Sequence, residues 1–131
     1  MLNYADERAI VNLLYSYAER IDAGDFKGVS ELFSSAEVFM AGPDQPSVAG
    51  KQVGPIMKHF VKTYEGIPRT KHVVTNTIVE AQSATSAHTR SQFTVLQNVP
   101  DLLPLEVVAS GRYHDEFVKN DQGEWAFAQR I

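Results

Sequence analysis

Residues 10–33 read IVNLLYSYAERIDAGDFKGVSELF, and this stretch decides how the chain folds. Apolar residues recur in it every three or four positions, namely Ile10, Leu13, Leu14, Tyr17, Ala18 and Ile21. That spacing predicts a helix buried along one face. Asp22 follows the last apolar position, and Tyr17 lies a turn and a half before it, so both side chains are expected on the inner side. Gly24 can adopt a positive φ and is expected to end the helix.

Two more helices are predicted in the first half of the chain. Asp25 is the expected N-cap of the second, which carries Phe26, Val29, Leu32 and Phe33. Residues 36–41 predict a short strand, and the two prolines around residues 44–50 predict a surface loop. Pro55 suits the first turn of a third helix. The expected apolar positions of that helix are Ile56, Met57, Phe60, Val61 and Tyr64.

From Thr70 onward the apolar period changes from about 3.6 to 2, which indicates a sheet. Four long strands are predicted, over residues 70–81, 86–98, 105–120 and 124–131, with a bulge or bend at Gly111. The predicted order is α-α-β-α-β-β-β-β. We therefore expect a single α+β domain over residues 1–131, in which three N-terminal helices pack on a strongly curved antiparallel sheet and enclose a pocket.

Composition narrows the class of protein. The chain has 131 residues, a hydrophobic content of 44%, a net charge of −4 and no cysteine. The acidic balance argues against a nucleic-acid partner, and the lack of cysteine excludes disulfides and thiolate chemistry. The sequence has no apolar run long enough for a membrane span or an export signal, so the default expectation is no membrane partner and a cytoplasmic location.

His72 and Asp22 are the strongest candidates for chemistry. By alternation His72, Val74, Asn76 and Ile78 share one face of their strand. A histidine and an amide on either side of a valine, in an otherwise apolar strand, indicate a specific role. A carboxylate that accepts a hydrogen bond from one imidazole nitrogen fixes the tautomer and makes the other nitrogen a better base. Such a pair can remove a proton from carbon beside a carbonyl group. We therefore predict that Asp22 is the partner of His72.

Tyr17 and Arg130 complete the predicted catalytic set. The phenol of Tyr17 is placed to donate a hydrogen bond to a developing oxyanion. Arg130 is expected on a strand face whose other members are Ala126 and Ala128, which leaves room for the guanidinium to bind an anionic group. Structural alternatives stay open, because a strand histidine or a tyrosine on an apolar stripe is commonly a core residue, and an arginine is often in a surface salt bridge.

Other sites lack a supporting pattern. The four histidines show no metal-ligand spacing such as H-x-H or H-E-x-x-H, so no metal is predicted. The absence of G-x-S-x-G argues against a serine hydrolase. Arg112 and Tyr113 are expected at the sheet edge or in a subunit interface.

Four segments carry a family resemblance that spans nearly the whole chain: residues 17–26 (YAERIDAGDF), 71–76 (KHVVTN), 110–117 (SGRYHDEF) and 125–130 (WAFAQR). The chain resembles the SnoaL-like branch of the cone-shaped NTF2-like superfamily. That branch includes scytalone dehydratase, bile acid 7α-dehydratase, lindane dehydrochlorinase, polyketide cyclases and the non-catalytic β subunits of ring-hydroxylating dioxygenases. The resemblance implies that Asp22 and His72 form a general-base dyad, with Tyr17 and Arg130 at matching positions.

The resemblance also shapes the expected activity. It implies a lyase or isomerase that needs no cofactor and acts on a small, largely apolar hydroxy or keto compound, or else a non-catalytic binding or assembly module. The strand over residues 88–95 lacks the further acid of the bile acid enzyme, which argues against that substrate. A homo-oligomer, dimer or trimer, is implied. The pocket is expected to be lined by Phe33, Phe39, Met57, Phe60, Val74, Asn76 and Phe93.

Overall fold

Three α-helices form one layer of the computed structural model, which describes residues 1–131. They are α1 (Tyr4–Asp22), α2 (Phe26–Leu32) and α3 (Val53–Phe60). Asn3 caps α1, because its side chain accepts from the backbone N–H of Asp6 while the Asp6 carboxylate accepts from the backbone N–H of Asn3. The predicted positive φ of Gly24 and the N-cap role of Asp25 are both confirmed. None of the three helices combines the length and the apolar character that a membrane-spanning helix requires.

The second layer is a curved, unclosed sheet of six strands in the order β2-β1-β6-β5-β4-β3. The strands are β1 (Glu37–Val38), β2 (Val48–Ala49), β3 (Thr70–Ser83), β4 (Ser86–Val99), β5 (Leu103–Lys119) and β6 (Trp125–Arg130). Strand β1 runs parallel to β6, and all other neighbours are antiparallel. The predicted α+β class is confirmed. The predicted 44–50 loop contains β2, because this short segment pairs with β1, and a 3₁₀ turn follows it at Gly50–Gln52.

The core lies between α1 and the inner face of the sheet. Its fully buried aromatic side chains are Phe33, Phe117 and Phe127, whose rings are tilted against one another with centroids 4.6 and 4.7 Å apart. Residues of α1 at helical spacing, such as Ile10 and Leu14, pack on this cluster. Burial of this apolar surface is the main stabilising contribution to the fold.

Helix α3 is shorter than predicted. It ends at Phe60, and Val61 already has an extended backbone. The helix is attached to α2 through its first turn, where a Cβ on Gly54 would lie 2.2 Å from the carbonyl oxygen of Phe26. Because the contact is at this end, the far end projects into solvent, and Phe60 is 77% exposed. The prediction that Phe60 lines the pocket is therefore wrong.

A bulge in β3 changes which residues face inward. The register with β4 shifts between Thr75 and Ile78, and Asn76 has a positive φ of 54°. After the bulge Thr77 and Val79 are partly buried, whereas Ile78 is exposed. The predicted shared face of His72, Val74, Asn76 and Ile78 thus ends at Val74.

Asn76 accordingly does not belong to the pocket. Its side chain is exposed and donates a hydrogen bond to the Gln92 side chain, at 3.2 Å between Nδ2 and Oε1. The backbone at Asn76 supplies the extra residue of the bulge, and asparagine tolerates a positive φ better than most residues.

The bend predicted at Gly111 is located elsewhere. The β4–β5 register shifts where Val95 pairs with Ala109 and Leu96 pairs with Val107, so the bulge is at Val108. Gly111 has a different reason to be glycine, because a Cβ there would lie 2.7 Å from the ring of Phe93. The missing side chain leaves room for that ring.

Candidate functional site

Asp22 and His72 are hydrogen-bonded at the point where α1 ends and β3 begins. Asp22 Oδ1 lies 2.7 Å from His72 Nδ1. The carboxylate oxygens also accept from the backbone N–H of His72 at 2.7 Å and from the hydroxyl of Thr70 at 2.8 Å. An acid at a helix C-terminus is unfavourable to the helix dipole, and these three donors offset that cost.

The contact defines the protonation pattern of the imidazole. An ionised carboxylate only accepts hydrogen bonds, so Nδ1 of His72 carries the hydrogen in the neutral ring. The lone pair is then on Nε2, which has no hydrogen-bond partner within the chain. The arrangement can therefore present Nε2 as a base while Asp22 stabilises the imidazolium that forms on protonation.

Tyr17 lies next to His72 on the inner side of α1. The two rings meet edge to face with centroids 6.0 Å apart, and Tyr17 is 7% exposed. Burial raises the pKa of the Tyr17 phenol above its usual value, although the nearby Arg130 opposes the shift. The phenol therefore stays protonated at neutral pH and is available as a hydrogen-bond donor.

Arg130 is buried, and not on the alanine face that the sequence predicts. Phe117 pairs with Phe127 and Glu116 pairs with Gln129, so β6 has a bulge at Ala128. The bulge turns Arg130 to the same side as Phe127. The prediction that it shares a face with Ala126 and Ala128 is therefore wrong.

The guanidinium of Arg130 forms a bidentate pair with Asp115. Its Nε lies 2.7 Å from Oδ1 and its Nη2 lies 3.0 Å from Oδ2. Burial alone would lower the pKa of Arg130, but the pair with Asp115 raises it above its usual value. Arg130 is therefore charged at every relevant pH, and its Nη1 is buried without a partner.

A mostly apolar cavity of about 300 Å³ opens beside Tyr17 and Arg130. Its lining residues are Tyr17, Phe33, Val38, Phe39, Met40, Gly42, Val53, Met57, Phe93, Arg112, Tyr113, Arg130 and Ile131. The structure thus brings four of the predicted pocket residues together, Phe33, Phe39, Met57 and Phe93. Phe60 and Asn76 are on the surface, and Val74 packs against the core without lining the cavity.

The hydrogen-bonded pair of Asp22 and His72 is connected to this cavity only through Tyr17. Neither Asp22 nor His72 lines it, and Tyr17 is the residue that contacts both His72 and the cavity. The side chain of His72 is 12% exposed, so the imidazole is not sealed in the core.

Sequence reasoning missed Tyr113 and Asp115. The sequence places Tyr113 at a sheet edge or an interface, whereas its side chain is buried and lines the cavity. Arg112 is exposed and lies at the edge of the same lining. The signal was present, since Tyr113, Asp115 and Phe117 alternate along β5 and all three point inward. The alternation does not show that Arg130 is the partner of Asp115, because Arg130 follows the bulge in β6. No group of three or more His, Asp or Glu side chains is arranged to hold a metal ion.

Comparison with known proteins adds the family and the fold. The family described as SnoaL-like domain matches residues 3–131. The chain is 25% identical to a protein from Novosphingobium aromaticivorans DSM 12444 provisionally named scytalone dehydratase, with a TM-score of 0.73 over 96% of this chain and 81% of that one. No curated protein matches the chain.

Two further crystal structures are similar in fold. ActVI-ORFA from Streptomyces coelicolor is 20% identical, with a TM-score of 0.76 over 95% of this chain and 92% of that chain. A protein of unknown function with a cystatin-like fold from Nostoc punctiforme PCC 73102 is 21% identical, with a TM-score of 0.78 over 98% and 90%. These similarities confirm the predicted cone of helices on a curved sheet.

Proposed function

Because the chain belongs to the SnoaL-like domain family, we propose that it is a cofactor-independent lyase or isomerase. Its substrate is a small, largely apolar hydroxy or keto compound, such as a polyketide, a steroid or an intermediate of aromatic degradation. The observation that carries the proposal is the 2.7 Å contact between Asp22 Oδ1 and His72 Nδ1 beside an apolar cavity. The 25% identical protein provisionally named scytalone dehydratase adds support.

The proposed reaction needs only proton transfer. His72 Nε2 takes a proton from the carbon next to the substrate carbonyl, and the C–H electron pair moves to give an enolate. Tyr17 and Arg130 donate hydrogen bonds to the enolate oxygen as its charge develops. The imidazolium then returns the proton, either to a departing hydroxyl, which leaves as water, or to a different carbon, which completes a double-bond shift.

A second candidate function is a non-catalytic module that binds a small ligand or assists assembly, like a dioxygenase β subunit. One observation favours it, because the dyad does not line the cavity. A ligand confined to the 300 Å³ space would contact Tyr17 and Arg130 but not Nε2 of His72. Binding without turnover would then be the expected behaviour.

The two functions separate in a deuterium-exchange experiment. Enolisable aromatic ketones such as α-tetralone are incubated with the protein in heavy water, and loss of the hydrogen beside the carbonyl is followed by NMR. His72→Ala and Asp22→Asn should each slow the protein-catalysed exchange by about 10²- to 10⁴-fold. Tyr15→Phe is the matched control, since this phenol is 43% exposed on α1, away from the cavity.

The exchange experiment can contradict catalysis in two ways. Wild-type protein that exchanges no ketone hydrogen, or rates that both dyad substitutions leave unchanged, would overturn the proposed mechanism. Ketone binding that persists with no exchange would support the binding module instead.

We further propose that the chain forms a homo-oligomer. Strand β5 exposes large apolar side chains in its first half, with Leu105 at 66%, Val107 at 62% and Val108 at 46%. A run of exposed apolar residues on one strand is typical of a surface covered by a partner, here a second copy of the chain.

A further inference from the structure

The polar side chains around the cavity are all hydrogen-bond donors. They are Tyr17, Arg112, Tyr113 and Arg130, and none of the lining side chains is a carboxylate, an amide or an imidazole. Burial raises the pKa of both phenols, and for Tyr113 the neighbouring Tyr17 adds to the shift. Both therefore remain protonated at neutral pH, and the cavity offers hydrogens without offering a charged acceptor.

Tyr113 is held rigidly in this lining. Its ring stacks on Phe93 with centroids 4.5 Å apart and planes 19° apart. The guanidinium carbon of Arg130 lies 3.7 Å from the centroid of the Tyr113 ring. Gly111 makes the stack possible by leaving room for Phe93. A side chain fixed in this way loses little conformational entropy when its hydroxyl binds a ligand.

The two phenols in the cavity can satisfy only one of their two hydrogens through each other. Tyr17 and Tyr113 are neighbours, with ring centroids 6.1 Å apart. Two hydroxyls can share one hydrogen bond, in which one donates and the other accepts, so the second hydrogen still needs an acceptor. No carboxylate, amide or imidazole side chain of the lining is there to accept it, so a ligand or water is the partner that the cavity leaves for this hydrogen.

Arg130 leaves a second donor without a partner. Asp115 accepts from Nε and Nη2, so Nη1 lies on the side of the guanidinium turned away from that carboxylate. Nη1 is buried and makes no hydrogen bond. A buried donor without an acceptor is costly, and a ligand oxygen that approaches it removes that cost.

We propose that Tyr113 is a ligand-binding residue that, together with Nη1 of Arg130, donates hydrogen bonds to one oxygen of the ligand, and that this donor pair selects planar conjugated compounds carrying a phenolate or enolate oxygen. The inference deepens the proposed function, on which its substrate class rests. Apolar walls suit the carbon skeleton, and donors suit an anionic oxygen because hydrogen bonds to a charged acceptor are the stronger ones. A cationic amine finds no carboxylate among the lining side chains, and Arg130 repels it.

The test uses para-nitrophenol, a planar probe whose phenolate absorbs visible light. Wild-type protein should bind the phenolate about tenfold more tightly than the neutral phenol, which lowers the apparent pKa of the bound probe. Tyr113→Phe keeps the ring stack and removes only the hydroxyl. It should weaken phenolate binding by about tenfold, while binding of the neutral ether para-nitroanisole changes much less.

Two controls make the outcome decisive. Tyr15→Phe removes an exposed phenol and should leave the spectrum of the bound probe unchanged. Circular dichroism of Tyr113→Phe checks that the fold is kept. Preferential binding of the neutral probe, or phenolate binding that a folded Tyr113→Phe protein retains in full, would overturn the inference.

The probe also separates this inference from the catalytic proposal. His72→Ala should slow ketone exchange by about 10²- to 10⁴-fold but leave the phenolate preference in place, because His72 does not line the cavity. A protein that prefers the phenolate but exchanges no ketone would refute the proposed reaction and keep the donor pair. A protein that exchanges ketones without preferring the phenolate would refute the donor pair and keep the proposed reaction.

Discussion

The carboxylate of Asp6 connects the first turn of α1 with the last two strands through hydrogen bonds. It accepts hydrogen bonds from the indole N–H of Trp125 at 3.0 Å, from Lys119 Nζ at 3.1 Å and from the backbone N–H of Asn3 at 3.2 Å. The bond from Trp125 is the largest cause that lowers the pKa of Asp6, from 3.8 to about 2. The ionised form is therefore the one that the fold stabilises.

Substitution of Asp6 should change how the free energy of unfolding depends on pH. Because its pKa is lower in the folded state, its stabilising contribution is complete above pH 3.8 and is lost as the pH falls towards about 2. Asp6→Asn should reduce the free energy of unfolding at neutral pH, and the gap to wild type should shrink below pH 3.8. Urea unfolding at a series of pH values measures this gap.

Asp121→Asn is the matched control for Asp6, since Asp121 is an exposed turn residue. It should change neither the stability nor its pH dependence. A gap for Asp6→Asn that stays constant down to the acid transition would contradict the role given to this carboxylate.

The bulges at Asn76 in β3 and at Ala128 in β6 decide which side chains of these strands point inward. The positive φ of Gly24 and the N-cap at Asp25 follow from local patterns, and the sequence predicts them because each residue acts on its own neighbourhood. Simple alternation gives the wrong side of the sheet for Asn76, which forms a bulge, and for Arg130, which follows one. A bulge depends on the register with the neighbouring strand, and the hydrophobic period of a single strand does not reveal that register.

The buried pair of Asp115 and Arg130 gives an element-scale prediction for β5 and β6. Asp115→Leu leaves a buried guanidinium without its counter-charge and should destabilise the fold by about 3–5 kcal/mol. Asp115→Leu combined with Arg130→Met removes both charges and should recover most of that loss. Denaturant unfolding of the two single variants and the double variant measures the coupling.

Additive effects would contradict this account of the pair. If the double variant loses the sum of the two single losses, the side chains do not compensate each other in the core. Their 2.7 and 3.0 Å contacts would then contribute little to the attachment of β6 to β5.

The cavity is a property of the whole molecule. Phe33, Phe39, Met57 and Phe93 come from four separate segments and meet only after the helices pack on the sheet. Residue types and periods therefore indicate that an apolar pocket exists but do not show how it is shaped. The predictions for Phe60 and Val74 are wrong for this reason, because Phe60 is exposed at the end of α3 and Val74 packs against the core without lining the cavity.

The proposed self-association is testable at the same scale. Val107→Lys places a charge among the exposed apolar residues of β5 and should shift an oligomer towards monomer. Sedimentation velocity at several concentrations measures the state, with Glu106→Lys as a neighbouring control outside the apolar set. A wild-type protein that is monomeric at high micromolar concentration would contradict the proposal.

The central claim is that Asp22 holds His72 with its Nδ1 protonated and its Nε2 free to act as a base. Nitrogen NMR of the histidine side chains tests it most directly, because the chemical shifts of the two ring nitrogens report the tautomer. For neutral His72 the account predicts hydrogen on Nδ1 and a lone pair on Nε2, and a loss of this preference in Asp22→Asn. Hydrogen on Nε2 in the wild-type protein would contradict it.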